Sequence, residues 1–382
     1  MLCARDAAAT IGRAVSSVLG EADCRLLLVD DACRDATVDA ARNVAGERLV
    51  VVRSPAPGGI PRARQAALEA CETEYAAWLD ADDAWVPGRV ARILAALEGG
   101  ADVFCEAIDL VDGASGRSVR RLDVPGFVRR ERNPARLFER NHLPGDTQVG
   151  FRVETFRAAG GYDPGVYGVE SFDLLLRAIV GGARFAYGDA AGYRMYAYAG
   201  SVSRNLERQR AALALALRKH EFARVRQLCL AAGQPGRVAA WVLVSMALFR
   251  NEPEAALRFL EEASPAGADP DQVLEHDGPW PIREGWRRAF QRGTCLALIG
   301  GRDDEAEQEF RRAEGLEPTA EVSNNLGVVL ARLGRLEAAD ACWRDAERRF
   351  PGYLDARRNL QDAAGHFITT HPLRRQASRS EY

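Results

Sequence analysis

Tyr75-Ala76-Ala77-Trp78-Leu79-Asp80-Ala81-Asp82-Asp83 decides the reading of this 382-residue chain, because an apolar run of strand character ends in three carboxylates within four positions. Unpaired acids so close together repel and raise one another's pKa. A divalent cation, itself offered to a phosphate, is the usual reason to gather them. Taken alone, the stretch also reads as an acidic turn closing a strand.

Outward from it, residues 1 to about 110 alternate short apolar runs with helical patterns, which is how a βαβ sheet looks in sequence. Strands are predicted at Met1–Ala4, Arg25–Asp30, Leu49–Arg53, Tyr75–Leu79 and Asp102–Ile108. Between them Ile11, Ala14, Val15, Val18 and Leu19 mark one helix face, and Val38, Ala41 and Val44 another. The helices Pro61–Ala70 and Pro87–Leu97 each open on a proline, whose missing N–H costs nothing in a first turn. The sheet is expected to be mostly parallel. Residues 111 to about 204 are less regular, punctuated by Pro125, Pro144, Gly160-Gly161 and Pro164, with one helix at Phe172–Val180. They read as the rest of the same domain.

From Leu206 the pattern is helical throughout. Gly293, Phe310, Ala313 and Pro318 recur as Gly327, Trp343, Ala346 and Pro351, at offsets of 34, 33, 33 and 33 residues. Such a period, with small residues at helix contacts, reads as stacked helical hairpins. Asn325-Leu326-Gly327, Leu333-Gly334-Arg335 and Glu337-Ala338-Ala339 resemble tetratricopeptide repeats, and Arg250–Pro265 resembles a worn earlier copy. Three segments are therefore expected: an α/β domain at 1–204, a helical array at 205–368 that offers a face to a protein partner, and a disordered tail at 369–382.

Composition removes several function classes. A net charge of −3 gives no reason to invoke nucleic acid or a membrane surface. The longest apolar stretches, such as Val238–Phe249, are closed by charges, here Arg237 and Arg250, so no transmembrane segment is expected. No signal peptide is expected either. Eight cysteines without a CxxC pair argue against zinc and for reduced thiols in the cytoplasm. The frequent Arg and Ala fit a high-GC, bacterial genome.

A second acidic stretch is Val29-Asp30-Asp31-Ala32-Cys33-Arg34-Asp35-Ala36-Thr37. Asp35 reads as the cap of a helix at Ala36–Val44, which leaves Asp30 and Asp31 unexplained. Ligands sit at the carboxyl edge of open α/β sheets, where both stretches fall.

In order and spacing these motifs resemble family 2 glycosyltransferases of the GT-A fold. Arg5-Asp6 with Ala9-Thr10-Ile11-Gly12 is similar to the family's first strand exit and helix entry, and Val29-Asp30-Asp31 to its nucleotide-binding Val-Asp-Asp. Arg62-Ala63-Arg64-Gln65 resembles Ala-Arg-Asn, and Leu79-Asp80-Ala81-Asp82-Asp83 with Pro87 resembles the DxD motif. Phe151-Arg152, Gly160-Gly161-Tyr162-Asp163 and Glu170-Ser171 fall where the family has Arg-Arg, Gly-Gly-Phe-Asp and Glu-Asp. The resemblance covers residues 1 to about 204. It implies an inverting transfer of a sugar from a nucleotide-diphosphate donor to a hydroxyl on a glycan, lipid-linked or protein acceptor. It further implies that Asp82 holds Mg²⁺ or Mn²⁺ against the diphosphate, that Asp80 contacts ribose or a second-shell water, and that Asp31 contacts the base edge. Arg64 is a candidate for the pyrophosphate, with a helix-surface arginine as the other reading.

Three positions depart from the family. Ser171 replaces the family's catalytic base, and a hydroxyl cannot serve as a carboxylate base. Glu170 and Asp173 are the candidates to replace it; they lie on nearly the same helix face, with Ser171 turned about 100° from Glu170. Tyr198 stands where the family has a late histidine, and the first strand is short, with about four residues before Arg5. An aspartyl-phosphate phosphatase is disfavoured by Ala84, and a dinucleotide fold by the lack of GxGxxG after the first strand. The alternative is a catalytically weakened glycosyltransferase-like module that binds or assembles through its helical repeats.

Overall fold

The structure, a computed structural model, describes residues 1–21, 24–54, 58–198, 206–265, 267–275, 282–362 and 365–370. The chain forms two compact units, Met1–Gly233 and Gln234–Tyr382.

In the first unit, β1 (Leu2–Ala4), β2 (Leu26–Asp30) and β3 (Leu49–Arg53) form a parallel sheet in the order β1-β2-β3, with Leu2 opposite Leu28 and Leu28 opposite Val51. Helices α1 (Ile11–Leu19) and α2 (Thr37–Ala45) are the crossovers that parallel pairing demands, and α3 (Ile60–Ala70) leads on from β3 to the next strand. Ile11, Ala14, Val15 and Val18 of α1 are buried in one cluster with Leu2, Leu26 and Leu28, so the apolar stripe expected there packs on the sheet. Pro61 lies in the first turn of α3.

Strand β4 (Tyr75–Ala77) adjoins β1: the Met1 amino group donates to the Ala77 carbonyl at 2.8 Å, and Leu79 N–H donates to the Met1 carbonyl at 3.0 Å. It opens a second sheet containing β5 (Ala84–Trp85), β6 (Val103–Asp112), β7 (Ser118–Leu122), β8 (Gly150–Arg152) and β9 (Phe185–Ala197), in the order β4-β8-β6-β9-β5 with β7 beside β6. Only β6 and β9 run parallel here. The parallel character read from the sequence thus belongs to β1–β3, while the β6–β7 connection is too short for anything but an antiparallel hairpin. Helix α4 (Arg89–Glu98) starts two residues after Pro87, because Gly88 takes a left-handed conformation with φ of 82°. Helices α5 (Gly126–Arg129), α6 (Val153–Ala158) and α7 (Glu170–Val180) complete the region the sequence left irregular. The unit then runs past the change of pattern near residue 204 to take in α8 (Leu206–Arg218) and α9 (Phe222–Ala231).

The second unit holds α10 (Gly236–Phe249), α11 (Pro253–Ala263), a small antiparallel pair β10 (Val273–Glu275) and β11 (Ile282–Arg283), then α12 (Glu284–Ile299), α13 (Asp303–Leu316), α14 (Ala320–Arg332), α15 (Leu336–Arg349) and α16 (Leu354–Asp362). Consecutive helices pack in pairs, α10 on α11, α12 on α13 and α14 on α15. Among the described residues no helix is long and apolar enough to cross a membrane. The repeated glycines sit at the helix crossings: a Cβ on Gly293 would lie 2.9 Å from the Phe310 ring, and one on Gly327 would lie 2.5 Å from Trp343. Each repeat therefore pairs a missing side chain with a buried aromatic ring. Thr369, at the end of the described chain, is buried, while residues 371–382 of the expected tail lie outside the described residues.

Because a rigid ring must move to admit a methyl group, Gly327→Ala should destabilise the second unit by about 1–3 kcal/mol. Gly315→Ala, in open space on α13, should instead stabilise it by about 0.5–1 kcal/mol. Urea midpoints of the two variants check this opposition of sign.

Candidate functional site

The carboxyl ends of β1 and β2 are closed by a bonded loop pair. Asp6 and Ala32 hold φ values of 51° and 60°, in the left-handed region that non-glycine residues rarely adopt. Asp6 is kept there by Arg34, whose backbone N–H, Nε and Nη2 donate to its carboxylate at 2.7, 3.1 and 2.7 Å. Asp35 accepts from the N–H groups of Thr37 and Ala8, both at 3.0 Å, and so closes the entry to α2 while tying it to the first loop. Asp30 turns back to accept from Cys33 N–H at 2.8 Å. Asp31 is buried; its backbone N–H donates to the Ala4 carbonyl at 3.0 Å and its carboxylate accepts from Gly58 N–H at 3.2 Å. The two acids that capping left unexplained thus divide, Asp30 to the turn and Asp31 to the sheet edge.

The acidic turn after β4 is held from β9. Asp80 N–H donates to the Tyr193 hydroxyl at 3.0 Å, which donates in turn to Asp83 Oδ2 at 2.9 Å; Tyr196 N–H supplies Asp83 Oδ1 at 2.8 Å. Asp83 is buried and serves as the fixture of the turn. Arg13, from α1, donates to the Asp82 carbonyl and to the Tyr198 hydroxyl at 3.1 Å, with its guanidinium 3.7 Å from the Tyr196 ring centre. Tyr198, at the family's histidine position, therefore braces the arginine that holds the Asp82 backbone.

Arg64 joins the rest. Buried on α3, it donates through Nη1 to Glu170 Oε1 and Ser171 Oγ, both at 2.7 Å, and through Nη2 to Asp80 Oδ1 at 3.3 Å. Burial opposes its charge, and the Asp80 and Glu170 carboxylates outweigh burial and raise its pKa. Of the two sequence readings, the helix-surface arginine is excluded. Gln148 Nε2 takes Asp80 Oδ2 at 2.9 Å, and Gly168 N–H takes Glu170 Oε2 at 2.7 Å. The structure thus brings Arg64, Asp80 and Glu170 into direct contact, with Asp82 on the adjoining turn. Asp173 does not join them: fully buried, it pairs with Arg177 and Lys219, each at 2.7 Å. Gln148, Tyr193 and Arg13 were not visible as site residues in the sequence, since none lies in a motif; the only signal was a lone arginine beside the Ala-Thr-Ile-Gly entry.

The acids are crowded. Burial, then Asp80, raises the pKa of Asp82. Burial, then Asp80 and Asp82, pushes Asp83 up to about 8, against the two bonds that favour its charged form. Asp82 is partly exposed, and among the described residues its carboxylate makes no hydrogen bond to another side chain. An all-oxygen donor set with an unspent carboxylate and raised pKa suits a hard divalent cation shared with an outside anion. Among the described residues no three His, Cys, Asp or Glu side chains form a ready-made cage for a metal. The donors therefore fit a cation that completes its shell from a ligand, as Mg²⁺ commonly does.

The carboxyl edge of an open α/β sheet, where the acidic turn lies, is where such folds hold ligands. Residues 1–159 match the family model described as Glycosyl transferase family 2, so this segment is similar to that family. The chain is 30% identical over 223 residues to the succinoglycan biosynthesis protein ExoU of Rhizobium meliloti, covering 53% of this chain and 63% of that protein. It is 29% identical over 232 residues to ExoO of the same organism, covering 54% and 62%. It thus spans less than two thirds of either relative. The crystal structure of S. aureus TarS 1–349 superposes with a TM-score of 0.50 at 14% identity, covering 92% of this chain and 91% of that one, which shows the shared fold.

Asp83 yields a pH dependence. Its folded pKa, about 8, stands above the ordinary 3.8, so its contribution to stability is complete below about pH 4 and is lost as pH rises through 8. Between pH 5 and 9 the parent should lose stability relative to Asp83→Asn, which keeps an acceptor for Tyr193 and Tyr196. Paired urea titrations across that range measure the difference, and parallel curves would refute the shift.

Proposed function

We propose that the N-terminal unit transfers a sugar, with inversion, from a nucleotide-diphosphate donor to a hydroxyl of a glycan acceptor, in the cytoplasm. One observation carries this reading: Asp82, partly exposed and unspent, stands beside an Asp80 that Arg64 and Gln148 hold in place. The family match of residues 1–159 supports the reaction class, and the names of the two relatives, both succinoglycan biosynthesis proteins, support a glycan product.

In this reading Asp82 holds Mg²⁺ or Mn²⁺, with Asp80 behind it. When bound, the cation offsets the charge that grows on the departing diphosphate. Asp31, at the neighbouring strand end, meets the nucleobase, and Asp80 meets the ribose. The acceptor oxygen bonds to the anomeric carbon as the carbon–oxygen bond to the diphosphate breaks. Glu170 takes the acceptor's proton and the nucleoside diphosphate leaves. Arg64 orients Asp80 and Glu170 and is kept from the phosphates by these bonds. Asp173 serves by pinning α7 through Arg177 and Lys219. The helical unit, read as tetratricopeptide-like, supplies no group to the chemistry.

A second reading is favoured by a specific contact: both Glu170 oxygens are already bonded, and Ser171 stands at the base position. Such a site would bind donor without turning it over, and the chain would then act as a binding or assembly module.

Assay of nucleotide release from UDP-, GDP- and dTDP-sugars with Mn²⁺ separates the two. Asp82→Asn should lower release by about a hundredfold or more, corresponding to several kcal/mol of lost leaving-group stabilisation. Glu170→Gln should abolish release while leaving donor affinity unchanged. Parent-level release in Asp82→Asn would overturn the metal assignment, and tight donor binding without release in the parent, even with a glycan acceptor present, would favour the second reading.

A further inference from the structure

Of the chain's 51 lysine and arginine side chains, only Lys219 is a lysine. It stands in the turn after α8, inside the first unit. A guanidinium presents its donors in a flat fork, whereas an ammonium is a compact point that gives several hydrogen bonds from one atom. Lys219 uses that property: its Nζ donates to Asp163 Oδ2 at 2.6 Å and to Asp173 Oδ1 at 2.7 Å. The fork of Arg177 takes the other Asp173 oxygen, through Nε at 2.9 Å and Nη2 at 2.7 Å, so the fully buried Asp173 has both oxygens matched. Two cations thus meet two anions. Lys219, then the Gly165 N–H, lowers the pKa of Asp163, as a tight pair requires.

Asp163 and Asp173 are the two ends of one stretch, which leaves the Gly160-Gly161-Tyr162 motif, turns at Pro164–Val166 and enters α7. Between those ends lies the contact that matters for the site. Gly168, in a left-handed conformation with φ of 96°, gives its N–H to Glu170 Oε2 at 2.7 Å and leaves Oε1 to Arg64. Helix α8 lies against the same stretch. Its Ala212 and Ala216 are buried in one cluster with Val166, Val169 packs beside them, and the Arg208 guanidinium is 3.5 Å from the Tyr167 ring centre. Small side chains let the helix come close, and the lysine beyond its end ties both ends of the stretch to a single nitrogen.

We propose that Lys219 is a positioning residue for sugar transfer: its ammonium clasps the 163–173 stretch at both ends and so holds the Gly168 N–H, and with it the Glu170 carboxylate, in place for proton transfer. The working site then extends to α8, well beyond residues 1–159 that match the family model. The kinetic consequence rests on the sugar-transfer reading, while the clasp itself does not. Because Lys219 acts through this stretch and not on Asp80 or Asp82, its loss should slow turnover and spare donor binding.

The test uses the full chain with Mn²⁺ and the donor, among UDP-, GDP- and dTDP-sugars, that the parent turns over fastest. Lys219→Met should lower kcat about ten- to a hundredfold, the scale of a slightly misplaced catalytic group, with donor affinity by calorimetry within about twofold of the parent. Asp163→Asn keeps Asp173 fully paired and so protects the fold while loosening one end of the clasp; it should lower kcat about threefold or more with the same sparing of affinity. If Lys219→Met fails to fold, Asp163→Asn decides. Parent-level kcat in either folded variant, or a fall in donor affinity that matches the fall in kcat, overturns the proposal. Should the parent release no nucleotide, the sugar-transfer reading has failed by itself, and hydrogen exchange of the Gly168 amide judges the clasp. Exchange at least about tenfold faster in Lys219→Met than in the parent upholds the hold on Glu170, and equal exchange overturns it.

Discussion

The first unit depends on one buried guanidinium. Arg64 touches Asp80 from the acidic turn and Glu170 and Ser171 from the start of α7, elements that are far apart in the chain. A charge taken out of water is tolerated only with its partners in place, so the pairing fixes the turn and the helix relative to α3 and to each other. The acidic turn is set by that constraint together with the contacts from β9. Asp80 is turned inward by Arg64 and Gln148, Asp83 is locked to β9, and Asp82 alone of the three remains unspent. Three neighbouring acids that look equivalent in sequence thereby have three different tasks.

The same constraint gives the departure at Ser171 a physical meaning. Its hydroxyl accepts from Arg64 at 2.7 Å and lies 3.4 Å from the Thr147 hydroxyl, a neutral oxygen in a place where a third carboxylate would face a cation already shared by two. A serine there keeps the network complete without adding charge. In this arrangement Glu170 is a fixed part of the network, with both of its oxygens bonded.

Much of this was legible from residues. The strands from Leu26, Leu49, Tyr75 and Val103 stand where apolar runs met turn signals, which mark strands in an α/β pattern. The resemblance of the N-terminal motifs to family 2 glycosyltransferases was likewise visible, because Val29-Asp30-Asp31 and Leu79-Asp80-Ala81-Asp82 carry it in order. What escaped was set by tertiary contact. Nothing near Asp173 shows that Lys219, in the turn after α8 and within the segment the pattern assigned to the array, would pair with it. Nothing in Asn324, Asn325 and Asn359 shows that the final described residues return to them, because a side-chain amide has no periodicity to reveal its partner. The antiparallel members of the second sheet were hidden for the same reason: β8 is three residues long and gains its place only between β4 and β6.

The central claim is that Arg64 and its two carboxylates act as a unit, and a double-mutant cycle between Arg64→Met and Glu170→Met tests it most directly. Each single change strands a buried charge and should cost about 3–5 kcal/mol in urea unfolding, while the double variant, with both charges gone, should cost at least about 2 kcal/mol less than their sum. Costs that add to within about 0.5 kcal/mol would contradict the account, since they would mean that the two side chains stabilise the fold independently.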